Sequence, residues 1–162
     1  MRLAKVTGFT GIRSMASDRA PDLAEFHNLS RRHCWIDDDG CSAWLYLTEP
    51  AADSATSAPI AADAFVFNHG NPIDPERVQE YRGTQPPLCV GFASTEAICS
   101  APGKFSWSLL WSDDGESVAV LRDDAPLAFI LNGEKRGYSK AIEKVGPYGN
   151  PWSKELFERT FT

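Results

Sequence analysis

Three histidines and four cysteines are the residues that could carry nucleophilic or metal chemistry. The cysteines are Cys34, Cys41, Cys89 and Cys99, and none sits in a Cys-x-x-Cys pair. Taken with His27, His33 and His69 they match no structural zinc spacing, so no metal site is expected. His33 and Cys34 are neighbours in an extended run. Successive strand residues point to opposite faces, so the two cannot act together as base and nucleophile. His69 lies in a Gly/Asn turn and is free to act, but no Ser or Cys elbow accompanies it. The chain has no Gly-x-Ser-x-Gly, no phosphate-cradling glycine loop and no dinucleotide fingerprint. The expectation is a protein that is not an enzyme, with no catalytic residues and no cofactor.

The acidic turns are the other candidates. Asp37-Asp38-Asp39 is followed by Gly40, and Asp113-Asp114 by Gly115 and Glu116. A calcium loop needs alternating oxygen ligands and a distal Glu, and consecutive Asp residues do not give that spacing. Solvated hairpin turns are the simpler reading, since Asp bonds its own backbone and Gly accepts positive φ. If the two hairpins pack side by side, Asp37, Asp38, Asp39, Asp113, Asp114 and Glu116 gather at one end of a sheet. Asp123-Asp124 then lies at the other. Those six acidic residues are the candidate partner-binding set. Net charge is −6 and the basic residues are scattered apart from Arg31-Arg32 and Glu134-Lys135-Arg136. Direct nucleic-acid binding is therefore not expected. An acidic surface steers a basic protein partner instead.

The elements that must position these turns are strands. From Phe105 to Lys140, short apolar runs alternate with turn formers, the pattern of an antiparallel meander. Phe105, Trp107, Leu109 and Trp111 share one parity and Ser106, Ser108 and Ser112 the other. Strands are expected at 105–112, 117–122, 127–132 and 135–140, with a type I′ hairpin at Asn132-Gly133. A similar hairpin spans Arg32 to Leu47, and Ala64-Phe65-Val66-Phe67 and Leu88–Ala93 read as further strands. Residues 1–30 are weakly patterned. Leu3–Phe9 could be an edge strand, and Leu23, Phe26 and Leu29 fit a short helix. Pro50–Asp63 reads as a mobile loop. Asp74 caps a short helix, and Asn150 and Pro151 open a C-terminal helix over 150–160.

The 162 residues, 43% hydrophobic and 23% charged, are those of one ordinary globular domain. The expected fold is α+β and mainly β: a single curled antiparallel meander sheet with one or two short helices. The five tryptophans read as core. No apolar run reaches the length of a membrane span. The start, Met1 to Gly8, lacks the apolar stretch of a secretory signal, so a cytoplasmic protein with reduced thiols is expected.

Trp111-Ser112-Asp113-Asp114-Gly115, Val118-Ala119-Val120-Leu121, Pro126-Leu127-Ala128-Phe129 and Arg136-Gly137-Tyr138 carry a resemblance. Across residues 31–140 the chain is similar to a family of small uncharacterised bacterial domains. No catalytic residues are defined for that family, so none carry over. In size, charge and lack of motifs the chain also resembles bacterial immunity proteins, acidic cytoplasmic antagonists of toxin domains. That resemblance implies a non-catalytic immunity protein that binds and neutralises a cognate toxin, a basic nuclease-like effector. The alternative is a small-ligand-binding or enzymatic domain with a pocket near His69 and the Trp-bearing sheet. A structural subunit that pairs by a sheet edge is a third possibility. The oligomeric state stays open.

Overall fold

The computed structural model describes residues 18–162. The expected edge strand at Leu3–Phe9 lies outside the described residues. Among the described residues nine strands make two sheets. The first holds β1 (Ala24–His27), β2 (Arg32–Asp38), β3 (Ser42–Thr48) and β4 (Ile60–Asn68) in sequence order, all antiparallel. The second holds β5 (Trp107–Trp111), β6 (Val118–Arg122), β7 (Ala125–Ile130), β8 (Tyr138–Ser139) and β9 (Asn150–Pro151). Its strands are also neighbours in order, and only β8 and β9 pair in parallel. Two 3-10 turns, Pro75–Tyr81 and Pro102–Lys104, and one helix, α1 (Lys154–Phe161), are the other elements among the described residues.

The mainly β character holds, but one curled sheet does not form. Each half of the chain makes its own meander with an apolar face, and those faces bury most surface by packing on each other. Cys34, Ile36, Leu45, Leu47, Ala64, Val66 and Phe67 of the first sheet meet Trp107, Val118, Val120, Ala128 and Ile130 of the second. Between β3 and β4 the register shifts after Ala43, which lets Val66 and Phe67 both join this core.

The other face of the first sheet is also covered. Trp44 and Phe65 pack there with Ile73, Leu88, Cys89, Ile142 and Tyr148 from irregular segments. The segment expected to be a strand at Leu88–Ala93 forms no strand. Its backbone is held by single pairings, such as Val90 N–H to Ile73 O at 2.8 Å, and by the buried Asn68 amide. Asn68 Oδ1 accepts from Leu88 N at 2.9 Å, and its Nδ2 donates to Leu88 O at 3.4 Å.

Four local expectations change. Residues 24–27 form a strand rather than a helix, because Phe26 pairs across to His33 in the sheet. The type I′ condition falls at Asp123-Asp124, which have φ of 50° and 66° between the paired residues Arg122 and Ala125. At Asn132-Gly133 only the glycine has positive φ, and the β7–β8 link is longer. The loop expected over Pro50–Asp63 ends early, since β4 begins at Ile60. At the C-terminus Asn150 stays extended, its backbone and side-chain amides both bonded to Gly137 O. Ser153 caps α1 instead, its hydroxyl accepting from Leu156 N at 3.3 Å. The helix lies on the outer face of the second sheet, where Phe129 is fully buried beneath Trp152, Phe157 and Phe161. No helix among the described residues is long and apolar enough to cross a membrane.

Candidate functional site

The outward face of β3 and β4 builds the site. Trp44 and Tyr46 share one parity of β3, and across the ladder Tyr46 pairs with Asp63 and Trp44 with Phe65. The segment pinned by Asn68 lays Gln85, Cys89 and Phe92 beside them. Tyr148 closes the wall, its hydroxyl donating to Pro87 O at 2.9 Å and lying 3.0 Å from Cys89 Sγ. The result is a cleft of about 590 Å³. That lies within the roughly 300–1,000 Å³ of small-ligand sites. Its walls are aromatic: Trp44 meets Phe65 edge-on at 5.1 Å, and Phe92 and Tyr148 lie 5.8 Å apart.

The rim is acidic. Asp63 is held by a fork from Arg136 Nη1 at 2.8 and 2.9 Å, so that pair is neutral overall. Asp37 and Asp39 add negative charge beside Tyr46. Burial, then the charge of Asp63, pushes the Tyr46 phenol up to about 12. Gln85 Nε2 donates to Asp37 Oδ2 at 3.2 Å and to Tyr46 Oη. A carboxylate only accepts, so this contact fixes which end of the amide faces Asp37. Gln85 Oε1 is left buried with no partner, and so is Trp44 Nε1. Each unpaired buried group costs about 1–3 kcal/mol. A ligand that reached them would recover part of that.

The six candidate partner-binding residues do not gather. β2 is seven residues long, and at about 3.3 Å per residue its ends lie roughly 20 Å apart. Asp37, Asp38 and Asp39 are at its far end. Asp113, Asp114 and Glu116 are at its start, where Glu116 Oε1 accepts from Arg32 Nε at 2.6 Å. The two hairpins lie in different sheets, which is why side-by-side packing fails. Asp38 is not a surface group at all, with its side chain only 2% exposed. It accepts from Ala20 N at 2.8 Å and Gly40 N at 2.9 Å, and lies 2.7 Å from His69 Nε2. Asp39 Oδ1 accepts from Cys41 N and Ser42 N. Asp114 accepts from Ser112 Oγ and Glu116 N. Asp37 and Asp113 are exposed.

The histidines have other duties. His69 is turned toward Asp38 and Phe67 and does not line the cleft. His33 Nε2 lies 3.2 Å from Thr56 O, and Cys34 beside it is fully buried, its thiol pushed up by that burial. All four cysteines are free thiols. Among the described residues no group of three or more His, Cys, Asp or Glu is placed to hold a metal. Two tryptophans, Trp44 and Trp107, are buried core residues, and Trp35, Trp111 and Trp152 are half-buried.

Sequence reasoning missed Tyr46, Asp63, Gln85, Arg136 and Tyr148. The available signal was parity: stepping back two residues from Phe65 puts the Asp63 carboxylate on the same aromatic face. Comparison with protein families, curated proteins and solved structures found no match.

Proposed function

We propose that the protein is a non-catalytic immunity protein that binds and neutralises a cognate toxin domain with a basic surface. One observation carries the reading: beside the Asp63–Arg136 pair, the carboxylates of Asp37 and Asp39 add negative charge near Tyr46, which lines an aromatic cleft. Excess negative charge at a desolvating aromatic surface favours a basic protein over nucleic acid or a membrane. The net charge of −6 points the same way. Four free thiols suit the reducing cytoplasm in which such an inhibitor would act.

The test is co-expression with the product of the adjacent gene, followed by affinity purification and native mass spectrometry. The expected result is a stoichiometric complex and relief of the neighbour's toxicity. Asp37→Lys with Asp39→Lys should weaken the complex about tenfold or more, most at low salt. Asp113→Lys with Asp114→Lys, beside the start of β2 and roughly 20 Å from Asp37, should leave it within about twofold. A monomer that gives no rescue overturns the reading. The cleft's size favours a second reading, a small-ligand-binding domain. A screen in which a ligand raises the melting temperature, with the rise lost in Tyr46→Ala, would support it.

A further inference from the structure

We propose that the cleft is a guanidinium site, and that in the toxin-binding reading on which this rests its occupant is an arginine side chain of the partner. The charge comes first. Arg136 already neutralises Asp63 and Lys144 lies over Phe92, so the two further carboxylates near Tyr46, Asp37 and Asp39, leave a small negative excess around the cleft that disfavours an anionic ligand. The acceptor comes second. Asp37 turns the Gln85 amide so that Oε1 is the buried group left without a donor. A guanidinium offers several N–H donors in a fixed plane and could bond Gln85 Oε1 and Asp37 together. Shape comes third. The walls are flat rings from Trp44, Phe92 and Tyr148; the chain's own Lys144 already lies 5.0 Å from the Phe92 ring, and a planar, weakly hydrated guanidinium stacks on such faces better than a strongly hydrated ammonium. The chain's own Arg136 shows how a guanidinium seats on this rim, forked on Asp63.

The test titrates the full chain with N-acetyl-arginine methylamide, following tryptophan fluorescence and side-chain NMR signals. The citrulline counterpart, a neutral isostere, and the lysine counterpart are compared. The arginine probe should bind about tenfold tighter than citrulline, the difference between a charge-assisted and a neutral hydrogen bond at a partly buried site. Gln85→Leu and Asp37→Asn should each weaken it several-fold, and Asp37 is exposed, so that variant folds even if Gln85→Leu does not. Equal binding of arginine and citrulline, or no perturbation of Trp44 and Tyr148 signals, overturns the site. The partner reading is scored separately. An intact toxin complex whose affinity ignores Asp37→Asn and Gln85→Leu overturns the guanidinium site and leaves the inhibitor reading standing. Specific arginine binding without any toxin complex supports the site and removes the inhibitor reading.

Discussion

Two turns of almost the same composition, Asp37-Asp38-Asp39-Gly40 and Asp113-Asp114-Gly115-Glu116, spend their acids in opposite ways. The first sends its middle carboxylate inward, where Asp38 ties Ala20, Gly40 and His69 together, and leaves Asp37 at the edge of the cleft. The second closes on itself, through Ser112, Ser117 and Asp114, and is fixed to the first sheet by Glu116 on Arg32. An acidic run therefore has no role of its own. What surrounds each carboxylate decides whether it is a bolt, a cap or an exposed charge.

The contrast breaks most visibly at Asp38. Asp38→Ala should cost about 3 kcal/mol, because it leaves three part-buried donors without their acceptor. Urea unfolding would show it, and a loss under 1 kcal/mol would mean the inward bolt is not what holds the first turn. The glycines give the next contrast. Gly115 has φ of +71°, and a Cβ there would lie 2.1 Å from the His27 ring. Gly40 has φ of +92°, but its Cβ would meet only the flexible end of Arg19 at 3.1 Å. Both alanine variants carry left-handed strain, while only Gly115→Ala must also displace a ring packed at a tilt 5.2 Å from Trp111. We expect Gly115→Ala to cost about 2–3 kcal/mol and Gly40→Ala about 1 kcal/mol less. Equal costs would remove the packing of the second turn on β1 as a distinction. Glu116→Gln comes third, at about 1 kcal/mol, since the Arg32–Glu116 contact is short but part-exposed. Asp113→Asn, which breaks no bond, should stay within about 0.5 kcal/mol.

Much of this fold could be read before any coordinates. The runs around Trp107–Trp111, Val118–Arg122 and Phe65–Phe67 alternate or bury continuously, so propensity and packing agree there. The split into two sheets could not be read. Both halves carry the same alternation, and nothing local says whether apolar faces close on themselves or on each other. Asn132-Gly133 was the stronger turn dipeptide, yet Asp123-Asp124 took the tight turn because the β6–β7 register leaves two residues there. The cleft was hidden for a related reason. Gln85, Phe92 and Tyr148 lie in segments with no periodicity, held by one buried amide and a few backbone bonds, and their meeting is set by long-range contacts alone.

The smallest effect lies in acid. Glu116 N–H, followed by the Ser112 hydroxyl, holds the Asp114 carboxyl below its ordinary value. A depressed folded value stabilises the protein above the unfolded value, near pH 4, and that contribution fades as pH falls through the lower folded value. Asp114→Asn keeps an acceptor for both donors but cannot titrate. Its unfolding free energy should therefore fall less steeply than that of the parent between about pH 4 and pH 2. The group is largely exposed, so the difference in slope is small and is best read from paired urea titrations at low salt. Parallel pH profiles would mean that the second turn is closed by its backbone and Ser117 alone. The Asp114 charge would then add nothing to the hairpin, and Glu116, on Arg32, would be the acid of the second turn whose charge the fold itself uses.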